Sequence, residues 1–424
     1  MKKSAFITNF MGFYNILWAA VLPFLRHHPR LTHSFDQRMD TGSLEPADIW
    51  IQAASAGEAL LAVRLVRRFS SAGPVRILVT TTTDQGMDIL CEELKKNRTA
   101  SHISVSLGWF PFDSPAVAAK AVKSVKPRVM VLLETELWPS LLYSLRQHHT
   151  RILVVNGRMS STSSRNYRMT KPLWSRISPH VILAISDTDA LRFRQVFDRA
   201  RVTVMPNMKF ETLASHPPET ASSFLTGIFP CPLPVSVFAS IRRQEEPRVS
   251  KMIHTLFEQN PRQVIALFPR HMHRIESWKR RLKKTGLTVY LRSKLSASPA
   301  LPGIILWDRF GEMRQIFGYA DTVFMGGSLK PLGGQNFLEP LLQGAPVVTG
   351  HYWDDFFWVG NQIFDTGLVQ RTPDWRSAAE AMVSHLKHPQ DPHLRRQKAR
   401  NYVLSRSGGT DTACRAILAA LSGD

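Results

Sequence analysis

The sequence predicts an α/β protein with two doubly wound, Rossmann-like domains facing a cleft, preceded by an N-terminal membrane-anchor segment. Three observations lead there. Short, nearly unbroken apolar runs alternate with segments of helical periodicity along most of the 424 residues. That alternation marks parallel strands buried on both faces and joined by crossover helices. Small-residue or glycine turns follow several of those runs, at the strand ends where such sheets bind ligands. A proline-rich stretch from Leu213 to Pro234, containing Pro217, Pro218, Pro230, Pro232 and Pro234, splits the alternation into two series, as an interdomain linker does. The boundaries are therefore 1–30 for the anchor, 31–212 for the N-terminal domain, 213–234 for the linker and 235–424 for the C-terminal domain.

Composition narrows the partners. A hydrophobic fraction of 44% suffices for two cored domains. The formal net charge of +21 favours anionic lipid headgroups, phosphorylated substrates or nucleic acid. The basic residues are spread through the chain without the aromatic-interleaved patches of nucleic-acid binders, which sets nucleic acid aside. Cys91, Cys231 and Cys414 are scattered and form no CxxC, as reduced structural thiols in a reducing compartment do. None of the 15 histidines shows metal-ligand spacing, so no metal site is expected.

Residues 6 to 25 are apolar and rich in aromatics, with Lys2 and Lys3 before them and Arg26, His27, His28 and Arg30 after. Three readings compete: a shallow interfacial anchor, a single span and a cleaved signal. The run only just reaches the length of about 20 residues that a span needs, and Asn9, Asn15 and Pro23 interrupt it. Aromatics dipping into lipid between basic flanks fit the anchor best.

Strands are then expected at 48–51, 76–80, 103–107, 128–133, 151–155, 181–185 and 202–205, with helices near 59–69, 84–96 and 114–123. Glu58, Glu134, Glu136, Asn156, Arg158 and Lys209 fall just beyond strand ends. After the linker come strands at 235–238, 264–268, 288–291, 304–307 and 322–325, and a terminal helix over 409–421. The last of those strands leads into Gly326 to Pro346, GGSLKPLGGQNFLEPLLQGAP. A strand, a glycine turn and a helix starting near Asn336 make an anion site from free N–H groups. Glu339, one turn in, suits the hydroxyls of a ribose. The stretch reads as a nucleotide-sugar pocket.

Transfer from such a donor needs a base for the attacking hydroxyl and cations or helix dipoles for the departing phosphate. Glu58 sits at a helix start, where the dipole should hold it ionised at neutral pH. It serves equally well as an ordinary capping carboxylate. Glu134 and Glu136 are otherwise turn carboxylates, and Arg270 and Lys209 otherwise surface charges. No DxD pair stands at a strand end, so Arg, Lys and the helix N-terminus are expected to replace a metal.

The motifs resemble those of one family in order and over nearly the whole chain. Ala53-Ala-Ser-Ala-Gly57-Glu58 resembles the AASxGE of the transferases that move 3-deoxy-D-manno-octulosonic acid (Kdo). Glu134-Thr-Glu-Leu-Trp-Pro139 is similar to their ETELWP, Asn156-Gly-Arg-Met-Ser160 to NxRxS and Asn207-Met-Lys-Phe210 to NLKF. Phe268-Pro-Arg-His271 matches PRH, and Gly326-Gly-Ser328 with Gly333-Gly-Gln-Asn-Phe-Leu-Glu-Pro340 resembles GGS…GGHNxLEP. The resemblance implies a GT-B fold and an inverting, metal-independent glycosyltransferase at the cytoplasmic face of a Gram-negative inner membrane. It would move Kdo from CMP-Kdo to a lipid A precursor (lipid IVA) in lipopolysaccharide biosynthesis, against anionic lipid. It makes Glu58 the base and places Lys209 with Glu134 or Glu136 at the reaction centre. Arg270, Gly327, Ser328, Gln335, Asn336 and Glu339 fall to the donor, with Glu339 on the ribose. Two departures stand out. The family's GGHN histidine is Gln335, and its ASTHxGEE is Ala239-Ser-Ile-Arg-Arg-Gln-Glu-Glu246. Two alternatives stay open: a GT-B enzyme using another activated sugar, and a non-catalytic, membrane-associated nucleotide- or lipid-binding homologue.

Overall fold

The computed structural model of the protein describes residues 2–29, 31–71, 73–96, 102–214, 227–229, 233–295 and 302–423. The expected linker, 213–234, falls largely outside the described residues, as does Cys231. The chain divides into two compact units, Met1–Thr212 with Arg406–Asp424, and Leu213–Ser405.

The first unit is built on seven parallel strands: β1 (Ile49–Ala53), β2 (Val75–Thr81), β3 (Ile103–Trp109), β4 (Val129–Leu133), β5 (Arg151–Gly157), β6 (Val181–Ala184) and β7 (Arg201–Val204). Their order is β3-β2-β1-β4-β5-β6-β7. Ile51 of β1 lies opposite Val79 of β2 on one side and Val131 of β4 on the other. The order reverses between β1 and β4, which makes that pair the switch point. Side chains alternate between two covered faces. Trp50, Met130, Leu132, Ile152 and Val154 pack with the helices Pro115–Val125, Pro139–Gln147 and Asp187–Val196. Ile49, Ile51, Val129, Val131, Leu153 and Val155 pack with the helix Ala56–Arg68 on the other face. Burial on both faces explains why these strands read as continuous apolar runs.

The terminal helix corrects the expected boundary. The sequence places residues 409–421 in the C-terminal domain, but the helix Gly409–Ser422 belongs to the first unit. Ala413, Cys414 and Ile417 complete the core beside Val129 and Val155. Arg68 pairs with Asp411 at 2.5 Å, and Arg128 donates to the Leu421 carbonyl at 2.6 Å. Its apolar stripe suits either sheet, and only the match of these partners selects the first.

The second unit repeats the plan with β8 (Val235–Ile241), β9 (Val264–Pro269), β10 (Val289–Leu291), β11 (Gly303–Leu306), β12 (Thr322–Met325), β13 (Val347–Thr349) and β14 (Val369–Arg371). The order is β10-β11-β9-β8-β12-β13-β14, all parallel, with the switch between β8 and β12. Phe238, Ile265, Leu267, Ile304 and Phe324 pack with the helices Glu246–Gln259, Ile275–Lys283 and Trp375–Lys387. Strand β14 leaves little trace in the sequence because only Val369 points inward, with Gln370 and Arg371 exposed.

The N-terminal segment forms one helix, Lys2–Arg26. One stripe packs on the first unit: Ile7 and Phe10 lie against its core, and Met11 is buried. Tyr14 donates to Asp113 at 3.1 Å, and the Trp18 ring lies 5.9 Å from that of Phe112. The spacing of three or four residues keeps these on one face. The opposite face exposes Phe13, Ile16, Leu17, Val21 and Phe24. Among the described residues no helix is long and apolar enough to cross a membrane, so the single-span reading finds no helix that meets its requirement.

Asp113 ties this helix to the sheet. Its carboxyl also accepts the Ser140 and Leu141 N–H groups at 3.1 and 2.8 Å, capping the helix Pro139–Gln147. Asp113→Ala leaves two buried N–H groups without an acceptor and should lower the unfolding free energy by about 2–4 kcal/mol. Tyr14→Phe should cost about 1 kcal/mol. Urea denaturation of both variants checks this, and equal effects would remove Asp113 as the cap.

Candidate active site

Glu58 lies at the carboxyl end of β1, where Ser55 opens the helix Ala56–Arg68. The Ser55 Oγ accepts the Glu58 N–H at 3.3 Å. The Glu58 carboxylate takes the Ser55 hydroxyl at 2.9 Å and the Ala54 N–H at 2.7 Å. This is a capping box reaching one residue further back than usual, and it fixes the carboxylate. Only 7% of the residue is exposed.

A carboxylate that serves only a cap is held below its ordinary pKa by the dipole and the N–H bonds. Glu58 moves the other way, to about 7: burial drives it up, the charges of Glu134 and Glu136 add, and the Ala54 N–H bond opposes. The expectation that the dipole keeps Glu58 ionised at neutral pH is therefore corrected. Desolvation wins, and the group titrates where a general base works best.

Glu134 follows β4, the strand beside β1. Its backbone is left-handed, φ 57°, a conformation disfavoured in non-glycine residues. Its carboxylate pairs with Lys209 Nζ at 2.5 Å. Lys209 is placed by two asparagines: Asn207 Oδ1 accepts the Lys209 N–H and Asn156 Oδ1 accepts the Met208 N–H, both at 2.9 Å. Asn156 is itself left-handed, φ 59°, at the irregular end of β5. Thr135 Oγ1 donates to the Arg158 carbonyl. Burial raises the pKa of Glu136, with the Glu134 charge adding, while the Trp138 indole donates to it at 3.0 Å. The first unit thus gathers Glu58, Glu134, Glu136 and Lys209 at its switch point. Lys209 is an ion-pair partner rather than a solvated surface charge. Asn156 and Asn207 both open motifs marked in the sequence, but their tethering of Lys209 is not legible there, because it runs through backbone N–H groups that the fold brings to them.

In the second unit Gly326 presses on the strand beside it, where a Cβ would meet the Ser240 carbonyl oxygen at 2.6 Å. Gly327 is left-handed, φ 72°. The N–H groups of Gly327, Ser328 and Leu329 all donate to Glu245, at 2.5, 2.8 and 2.8 Å. The amides expected to cradle a ligand anion are taken by this side chain, which the sequence reading did not assign. Ser328 is fully buried; its hydroxyl donates to the Met325 carbonyl at 2.6 Å and accepts the Gly350 N–H at 2.8 Å.

The second glycine pair folds back onto the first, with Gly334 N–H on the Gly327 carbonyl at 2.9 Å. Asp355 packs where a Gly333 Cβ would stand, and its N–H bonds the Gly333 carbonyl. The expected helix from Asn336 is only the five-residue Leu338–Leu342, so its dipole is small. Asn336 caps it through Leu338 N–H at 3.2 Å and donates to Glu339 Oε1 at 2.7 Å. Gln335 turns its amide to the Gly334 carbonyl at 2.6 Å. This turn brings together Gly327, Ser328, Gln335, Asn336 and Glu339. Arg270 is exposed after β9, with its N–H on the carbonyl of Ile241 at 2.8 Å, the strand end against which Gly326 packs. Among the described residues no group of three or more His, Cys, Asp or Glu is arranged to hold a metal ion.

A family model described as 3-deoxy-D-manno-octulosonic-acid transferase (kdotransferase) matches residues 30–212. The 3-deoxy-D-manno-octulosonic acid transferase of Haemophilus influenzae is 26% identical over 390 residues, 91% of this chain and 89% of that protein. The transferase of the same name from Rickettsia bellii is 30% identical over 298 residues, 69% of this chain and 68% of that protein. Among solved structures, Anabaena HepE in complex with UDP is similar in fold, with a TM-score of 0.58 at 16% identity, covering 89% of this chain and all of that one. A Rickettsia africae glycosyltransferase gives a TM-score of 0.57 at 11% identity, covering 90% of this chain and all of that one. The two parallel-sheet domains are thus of the kind found in GT-B glycosyltransferases. The chain belongs to the 3-deoxy-D-manno-octulosonic acid transferase family and is a glycosyltransferase.

Proposed function

We propose that this enzyme transfers Kdo from CMP-Kdo to a hydroxyl of a lipid A precursor, with inversion and without a metal, at the cytoplasmic face of the inner membrane. The observation that carries the mechanism is Glu58: a fixed, buried carboxylate at a switch point, with a pKa near 7 and two further carboxylates beside it. Glu58 takes the proton as the acceptor hydroxyl attacks the anomeric carbon. Glu134 and Glu136 keep that proton affinity high, and Lys209 holds Glu134 in place. In the second unit Asn336 and Glu339 suit the ribose, and Arg270 suits the departing phosphate. The family relationship supports the donor and acceptor.

The helix Lys2–Arg26 supports the location. Its outward face carries Phe13, Ile16, Leu17, Val21 and Phe24, and Arg26, His27 and His28 follow in exposed positions. An apolar stripe beside basic groups lies in the interface of an anionic bilayer.

Glu58→Gln should lower kcat by about a hundredfold or more, the size of a lost general base, with CMP affinity unchanged by calorimetry. For the wild type, kcat/KM should climb about tenfold per pH unit below 7 and level off above it, because only ionised Glu58 accepts a proton. A wild-type profile flat from pH 5 to 8, or unchanged turnover in Glu58→Gln, removes Glu58 from this role. Product mass after incubation with CMP-Kdo, against UDP-sugars, tests the donor. Dialysis against a chelator should leave turnover unchanged; loss restored by added divalent ion would reject the metal-independent mechanism. Phe13→Asp with Phe24→Asp should abolish co-sedimentation with anionic vesicles while melting as the wild type does. Retained binding would move the membrane contact elsewhere.

A further inference from the structure

A run of three N–H groups aimed at one point is a nest that takes a phosphate or carboxylate. In the second unit the chain fills this nest itself. Glu245 is fully buried, and its two oxygens share the N–H groups of Gly327, Ser328 and Leu329. The Arg242 N–H approaches at 3.4 Å as a fourth. A buried carboxylate requires such partners, and two of them, the Gly327 and Ser328 N–H groups, belong to residues that the catalytic reading assigns to the donor.

The neighbouring side chain works in parallel. Glu246, equally buried, receives two bonds from Arg274, each of 2.8 Å. Arg274 closes the turn Met272–Arg274, which directly follows Arg270 and His271. Consecutive carboxylates after β8 therefore hold the loop after β12 and the loop after β9. These three strands are neighbours in the order β9-β8-β12. Ser240, left-handed at φ 56°, sits at the end of β8 just before them. Arg248 adds a bond to the Leu329 carbonyl at 2.6 Å.

We propose that Glu245 is a positioning residue of the donor half-site: its carboxylate fills the Gly327–Leu329 nest and holds the turn that presents Gln335, Asn336 and Glu339. The inference rests on the donor-binding role proposed for this unit. It also means that the donor phosphate does not use these amides and is met by side-chain cations such as Arg270.

The test uses the full-length protein and two readouts. Glu245→Gln puts an NH2 against the nest N–H groups. It should raise the KM for CMP-Kdo and the Kd for CMP by about tenfold or more, with the acceptor KM unchanged. Glu245→Asp, which keeps the carboxylate, should recover part of that loss; if Glu245→Gln does not fold, Glu245→Asp carries the kinetic comparison against wild type. Glu245→Ala vacates the nest, so about 50 mM inorganic phosphate should raise its melting temperature more than it raises that of the wild type. CMP affinity unchanged in Glu245→Gln and Glu245→Ala overturns the positioning role. A wild type stabilised by phosphate as much as Glu245→Ala shows a nest open to outside anions and also overturns it. Wild-type protein that fails to bind CMP sinks the donor reading instead, and the phosphate response of Glu245→Ala still decides whether Glu245 fills the nest.

Discussion

Where a parallel sheet reverses its strand order, two adjacent strands send their chains away in opposite directions and leave their carboxyl ends uncovered. Both units place their polar groups there. Glu58 follows β1 and Glu134 follows the adjacent β4. Glu245 follows β8, and Gly327 follows the adjacent β12. Residues about 75 to 85 positions apart become neighbours because the sheet order makes them so. Left-handed backbone occurs at strand ends as well, at Glu134, Asn156 and Ser240, none of them glycine. Each such residue costs on the order of 1 kcal/mol or more. The hydrogen bonds around them, such as Glu134 N–H to the Val155 carbonyl and Met208 N–H to Asn156 Oδ1, hold them there.

Carboxylates do three different jobs in these two places, and environment separates them. Glu58 loses water and gains like-charged neighbours, so its proton affinity rises into the working range of a base. Glu134 meets a lysine and becomes half of an ion pair. Glu245 meets three backbone N–H groups and becomes part of the scaffold. The residue type is the same throughout; the count of donors and neighbouring charges decides the role.

The N-terminal helix shows the same division between local pattern and context. Its sequence is apolar all round, which by itself fits a span, a signal or an anchor. The packing of Phe10, Tyr14 and Trp18 against the first unit, with Asp113 holding Tyr14, commits one stripe to the protein. The apolar residues that remain outward are then the part available to a lipid surface.

By itself the sequence determined what depends on short-range periodicity and spacing. The apolar runs marked twelve of the strands to within a few residues, and the doubly wound class followed from their alternation with helices. The ordered motifs marked Glu58, Glu134, Glu136, Lys209, Arg270 and the glycine turns as the chemistry-bearing positions. Tertiary structure decided what depends on partners distant in the chain. It assigned the terminal helix to the first unit, since an apolar stripe does not name the sheet it covers. It reversed the expected direction of the Glu58 pKa shift, since desolvation is a property of the surroundings and not of the helix start. It also gave the amides of the glycine turn to Glu245, more than 80 residues upstream, because a hydrogen bond of that range leaves no mark on local pattern.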